Sequence, residues 1–217
     1  MGLKQDLDAF KAQFAQSAPA GRVEFYATKI EELRQSFARD NAITEGDIAP
    51  DFSLSDAKGG SVSLSTLLVQ GPTVITFYRG GWCPYCNIQL RAYQAILPQI
   101  IAAGASLVAI SPQAPDGSLS TAEVNALTFN VLSDVGNRVA GSFGLVYSLA
   151  DELRAALRSV NKALPDINGD DSWELPVPST YVVARDGRVK LAHIDVDYTQ
   201  RLEPEKILAA LGSLRAI

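Results

Sequence analysis

A run of β-branched and aromatic residues, Thr73-Val74-Ile75-Thr76-Phe77-Tyr78, meets Gly80-Gly81 and then an apolar stripe of helical period. This join of strand to helix constrains the chain most. A short apolar run bounded by glycine reads as a strand inside a sheet. Leu90, Tyr93, Leu97 and Ile100, three and four residues apart, mark one face of a helix that Pro98 is set to kink near its end. Residues 106–110, Ser-Leu-Val-Ala-Ile, form a second buried strand, so strand, helix and strand predict a right-handed parallel crossover. The expected class is α/β, a central mixed sheet flanked by helices.

That join carries the only two cysteines among 217 residues, in Cys83-Pro84-Tyr85-Cys86. Pro84 suits the first helical position, where its missing N–H would have no partner, which makes Cys83 the expected N-cap and Cys86 the third helical residue. Both sulfurs then lie by the unpaired amides and positive end of the helix dipole, a setting that can lower a cysteine pKa from about 8.5 into roughly 3.5–7.5. One turn apart, the pair can also close a disulfide, which needs a Cα separation of about 5.5 Å. A single cysteine reads as a small buried hydrophobe. Two at this spacing read as redox chemistry. A purely structural disulfide would staple a tiny loop, and cytosolic chemistry would keep it reduced. Zinc needs about four ligands, and the chain adds only His193, so neither a metal nor a bound cofactor is expected, short of a site shared between chains. His193 falls in Ala192-His193-Ile194 on a predicted strand, which reads as structural and not as half of a Cys-His hydrolase.

With 47 % hydrophobic residues the chain can bury a full core without disulfides. A net charge of −5 speaks against nucleic acid or an anionic membrane as partner, since both present negative surfaces. Met1-Gly2-Leu3-Lys4-Gln5-Asp6 meets charge at once and no later run reaches spanning length, so a soluble, cytoplasmic protein is the expectation. Gly2 is no myristoylation signal, with Asp6 where Ser or Thr is required.

Leu3, Leu7, Phe10 and Phe14 form one helical stripe, and Val23, Tyr26, Ile30, Leu33 and Phe37 another, separated by residues 17–21. Residues 1–43 are therefore expected to be a helical extension, and residues 44–217 the main domain. The stripes need cover, either from that domain or from a second subunit in a homodimer. Alternation in residues 49–54 and 62–64 around a Gly-rich turn predicts a β-hairpin, with Ser65 capping a short helix behind it. Residues 120–127, 151–164 and 203–214 predict helices, and 129–132 a short strand. Residues 181–184 and 189–194 flank Arg185-Asp186-Gly187-Arg188, a hairpin turn. Residues 165–178, with Asn168-Gly169-Asp170-Asp171, predict an irregular loop able to fold over the cysteines.

The order of elements and Trp82-Cys83-Pro84-Tyr85-Cys86 resemble the thioredoxin superfamily, and more narrowly its peroxiredoxin branch, the AhpC/TSA group of thiol peroxidases, from about Gly46 to Leu214. Ala49-Pro50-Asp51-Phe52-Ser53-Leu54 is similar to the opening peroxiredoxin hairpin, and Phe77-Tyr78 to the aromatic pair ahead of the cysteine. Pro178-Ser179-Thr180-Tyr181-Val182-Val183, with Asp186-Gly187 after it, resembles the strand and hairpin that face the cysteines. The resemblance implies a thioredoxin-like fold and an antioxidant peroxidase cycle on Cys83 and Cys86. Hydrogen peroxide or an organic hydroperoxide would be the substrate, and a thioredoxin- or glutaredoxin-type dithiol the reductant.

The two branches assign the cysteines oppositely. Peroxiredoxins carry Thr three residues before the attacking cysteine, which here maps onto Cys83 and makes Cys86 the nucleophile. Thioredoxins attack with the first cysteine, Cys83, and pack a cis-proline against the pair at the position of Pro178. Peroxiredoxins place an Arg at that position, so this chain lacks it; the Asp that thioredoxins bury six residues before the first cysteine is Phe77. The nucleophile stays open. Arg79 is the nearest cation, read either as a solvated surface arginine or as a donor to the leaving oxygen. Trp82 and Tyr85 read as walls of the site or as packing. Thr180 either points its hydroxyl at the sulfurs or simply favours the strand. A dithiol–disulfide oxidoreductase and a non-catalytic redox sensor or binding module are the competing functions.

Overall fold

All five residues of the strand Thr73–Phe77 are buried, because neighbours pair on both its edges and helices cover both its faces. A computed structural model describes residues 2–215. Its main sheet has seven strands: β1 (Ser53–Asp56), β2 (Ser61–Ser63), β3 (Thr73–Phe77), β4 (Ser106–Ser111), β5 (Asn130–Ser133), and, after a separate ribbon of β6 (Val146–Ser148) and β7 (Glu174–Pro176), β8 (Ser179–Val183) and β9 (Val189–Ile194). Their order is β2-β1-β5-β4-β3-β8-β9. The expected parallel crossover is present, Ile75 standing opposite Val108 in β3 and β4, whereas β8 runs antiparallel to β3 with Ile75 opposite Tyr181.

Alternation along β3 sends Val74 to one face and Ile75 and Phe77 to the other. The first face packs with Leu90 and Tyr93 of α4 (Pro84–Ala95), Leu97 and Ile100 of α5 (Leu97–Ala102), and Ile207 and Leu211 of α10 (Pro204–Arg215). The break between α4 and α5 falls just before Pro98, where the missing donor stops the first helix. The second face packs with Leu64 and Leu67 of α3 (Leu64–Gln70), and with Ala140 of α7 (Arg138–Ser142) and the adjoining Phe143.

The predicted N-terminal hairpin forms as α1 (Leu3–Ser17) and α2 (Arg22–Ser36). Leu3 and Leu7 of α1 join the core beneath α4, so this helix is docked on its own domain. By contrast α2 buries no residue fully. Behind it, residues 37–43 are strapped down: Arg39 Nη1 donates to the Ile194 carbonyl at 3.1 Å and Ile43 N–H to the Phe143 carbonyl at 3.1 Å.

Several expected boundaries moved. Ser63 and not Ser65 caps α3, its hydroxyl accepting from Thr66 N–H, because the strand runs straight into the helix. The helix expected from residue 120 starts five residues earlier as α6 (Pro115–Val124), with Pro115 supplying a fixed φ at the first position. The helix over 151–164 ends as α8 (Asp151–Arg158), and Asn161 turns the chain at φ +56°. The loop over 165–178 is not irregular. It holds α9 (Leu164–Asn168) and β7, whose partner β6 lies too far away in sequence for local periodicity to show the pairing.

Gly144 marks where the strap meets the body. It has φ +69°, and a Cβ there would collide with the backbone carbonyl of Asn41. Gly59, at φ +91°, has open space around it. Gly144→Ala is expected to destabilise the fold by about 2–4 kcal/mol and Gly59→Ala by only about 1–2, the cost of the backbone conformation alone. Urea unfolding of both variants checks this, and equal losses would contradict the close packing of the strap.

Candidate active site

Cys83 ends the turn after β3 and is the N-cap of α4, with Pro84 at the first helical position, as the sequence predicts. The turn is tight because its backbone groups are clamped: Cys83 N–H donates to the Gly80 carbonyl at 3.1 Å, Gly81 N–H to Gln113 Oε1, and Asn87 Nδ2 to the Gly81 carbonyl at 2.7 Å. Gly80 at φ +142° has no room for a side chain, since a Cβ would run into the Trp82 indole. Both sulfurs are thereby fixed at the helix start. Both cysteines are free thiols, Cys83 2 % exposed and Cys86 fully buried.

Two arginines meet the sulfurs from opposite ends of the fold. Arg79 Nη1 lies 3.9 Å from Cys83 Sγ, and Arg201 Nη2 lies 3.5 Å from Cys86 Sγ. Arg79 is not a solvated surface residue: it is 7 % exposed, its guanidinium held between the rings of Trp82 at 4.9 Å and Tyr198 at 4.2 Å. Arg201 is 8 % exposed. Among the described residues neither is paired with a carboxylate, and the Nε of each has no hydrogen-bond partner. Buried cations of this kind need an anion.

The thiol pair supplies it asymmetrically. Cys83 is held well below the ordinary thiol range, first by the hydrogen bond it accepts from Cys86 and then, against the cost of burial, by the charges of Arg79 and Arg201. Cys86 is pushed well above that range, first by burial and then by donating to Cys83 and facing its charge. A thiolate at Cys83 beside a protonated Cys86 satisfies both arginines and the helix dipole.

The other expected residues are placed as follows. Trp82 and Tyr85 are walls, Tyr85 meeting Tyr198 edge-on at 5.7 Å and Phe10 of α1 at 5.0 Å. Thr180 does not serve the sulfurs. Its hydroxyl bonds Thr76 at 3.1 Å, Tyr93 at 3.2 Å and Gln89 at 3.3 Å, a buried polar knot between β3, β8 and α4. Pro178 is buried just ahead of β8, and no peptide bond among the described residues is cis. His193 stands opposite Thr180 on β9, and burial lowers its pKa, as suits a structural histidine. Arg201 was missed. It follows β9 in a turn built by Asp197, whose Oδ1 accepts from Thr199 N–H and hydroxyl, and no local pattern says that this turn folds back onto α4. No cluster of three or more His, Cys, Asp or Glu suited to a metal is found among the described residues. Nor is any helix among them long and apolar enough to cross a membrane.

A cavity of about 440 Å³ opens onto Cys83, between the start of α4 and the N-terminal hairpin, and Cys86 is not in its wall. Strand, dithiol turn and helix beside a second strand pair define a thiol oxidoreductase site on a thioredoxin-like sheet. Residues 46–192 match the AhpC/TSA family, and the chain belongs to it. It is 29 % identical to the chloroplast peroxiredoxin Q of Sedum lineare over 164 residues, 76 % of this chain and 73 % of the relative. A peroxiredoxin-type protein of Mycobacterium tuberculosis is 30 % identical over 158 residues, 72 % of this chain and 88 % of its own. Among solved structures, peroxidoxin BcpB of Mycobacterium tuberculosis superposes with a TM-score of 0.63 at 25 % identity, covering 80 % of this chain and 99 % of that one. Peroxiredoxin Q of Xanthomonas campestris shares the fold, with a TM-score of 0.58 at 19 % identity over 81 % of this chain and 98 % of that one. By class the chain is an oxidoreductase, a thiol-dependent peroxidase.

Because Cys83 leans on a donated hydrogen bond, Cys86→Ala is expected to raise the Cys83 pKa and slow its alkylation at pH 7 by about tenfold, with recovery as the pH rises through the new value. Arg79→Met shifts it in the same direction. Iodoacetamide rates against pH read both, and an unmoved profile in Cys86→Ala would show that the Cys83 thiolate does not depend on a hydrogen bond from Cys86.

Proposed function

We propose that Cys83 is the attacking thiolate and Cys86 the resolving thiol of a peroxide-reducing cycle carried by residues 44–217, with residues 1–43 as an extension beside the site. The observation that carries this order is access together with charge: the cavity reaches Cys83 and not Cys86, and Cys83 is the sulfur whose pKa is lowered. The position that resembles the peroxiredoxin nucleophile, Cys86, has its thiol raised by burial and lies behind its partner.

In the first step a Cys83 lone pair attacks the terminal peroxide oxygen, the O–O bond breaks, and the alkoxide or hydroxide leaves. Its developing charge faces Arg79, whose spare Nε–H is a preorganised donor. Cys83 becomes a sulfenic acid. The leaving oxygen takes the Cys86 proton; the Cys86 thiolate then attacks the sulfenic sulfur, and hydroxide departs and is protonated by solvent to water. Arg201 at 3.5 Å stabilises Cys86 while it carries the charge. The product is a Cys83–Cys86 disulfide, and an external thioredoxin- or glutaredoxin-type dithiol returns the two electrons by exchange. The cytoplasm, which supplies such donors, is the proposed compartment.

Stopped-flow oxidation with sulfenic-acid trapping tests the order. Cys83→Ser is expected to lose peroxide consumption by about 10³-fold or more. Cys86→Ser should keep a fast first oxidation, accumulate the sulfenic acid and fail to turn over. The reverse pattern would make Cys86 the nucleophile, and slow oxidation of the wild type, near a free thiol's rate, would favour disulfide exchange instead.

A further inference from the structure

The cavity over Cys83 is far larger than hydrogen peroxide needs. On one side lie Trp82, Cys83 and Tyr85, on another Leu149, Leu153 and Leu157, and a third wall is the N-terminal hairpin, with Phe14, Val23, Tyr26 and Ile30 lining it. That wall lies outside residues 46–192, the stretch that matches the family. Phe14 and Tyr26 pack at 6.1 Å across the hairpin, and Lys29 of α2 reaches Glu152 of α8 at 3.4 Å, tying the wall to the body at the cavity rim. The apolar stripe of α2 has no fully buried residue, so its unburied carbon faces this space.

We propose that residues 3–36 are a specificity element: they wall an apolar compartment over Cys83 that takes a long-chain, lipid-type alkyl hydroperoxide in preference to hydrogen peroxide. The proposal rests on the peroxidase reading above and names the substrate class of that site. An alkyl chain leaves water for carbon along this wall, whereas hydrogen peroxide must shed hydration to pass through it. A reactive thiolate in the wall of an apolar cavity fits a ligand whose hydroperoxide end meets the sulfur while its tail stays in the compartment.

The test is kcat/KM for hydrogen peroxide and for straight-chain hydroperoxides from ethyl to octyl, in the wild type and in Val23→Asp and Ile30→Asn, with circular dichroism as the folding control. In the wild type each added methylene should raise kcat/KM by up to about fourfold until the compartment is full. Both variants should flatten that slope. A flat wild-type series with fast hydrogen peroxide turnover would overturn the proposal and leave the peroxidase reading standing, and an equal slope in wild type and variants would show that the hairpin does not set it. No turnover with any peroxide would instead sink the peroxidase reading. A second readout needs no turnover: octanol, but not ethanol, should protect Cys83 from iodoacetamide in the wild type and lose that effect in Ile30→Asn. Absence of protection counts against the compartment. An octyl hydroperoxide rate that climbs on dilution would identify a second copy of the chain as the occupant and overturn the proposal.

Discussion

Two guanidinium groups buried beside two sulfurs, with no carboxylate paired to them among the described residues, set the terms for the site. A buried cation without an anion is costly, and the groups nearest these two cations that can become anions are the thiols. The helix start lowers the cost of such an anion, and the two arginines beside the sulfurs lower it further.

Delivering those groups accounts for much of the architecture. β3 carries the chain through the middle of the sheet and releases it at Gly80-Gly81, so Arg79 and Cys83 emerge beside each other at the strand's end. β9 sits at the sheet edge beyond β8, and the turn after it returns Arg201 under α4 before α10 closes the same face. The buried knot of Thr76, Thr180, Gln89 and Tyr93 lies between these routes and holds β3, β8 and α4 in register. The three hydroxyls and Gln89 Nε2 bond one another in the middle of an apolar face, which favours one alignment over slipped ones.

The sequence was informative where chemistry is local. The strand, the glycine turn, Cys83 as N-cap, the break at Pro98 and the hairpin at Asp186-Gly187 all follow from residues within one turn of each other, and each is found within a residue or two. It was silent where partners are distant. The ribbon of β6 and β7 joins residues about 28 apart, each strand only three residues long, so neither carries a period long enough to read. Arg79 looked like a surface residue because one arginine after a strand is usually solvated; its burial depends on Tyr198, more than a hundred residues on.

The sequence by itself determined the α/β class, the dithiol at a helix start and the two N-terminal helices. Periodicity, capping and cysteine spacing act over a few residues and need no fold to be read. Only the tertiary structure decided which cations face the sulfurs and which sulfur opens onto a cavity. Those properties depend on Arg201 arriving from the far edge of the sheet and on α1 and α2 lying over Trp82 and Tyr85. Electrostatics and access are set by what is near in space, and the order of residues along the chain does not encode that locally.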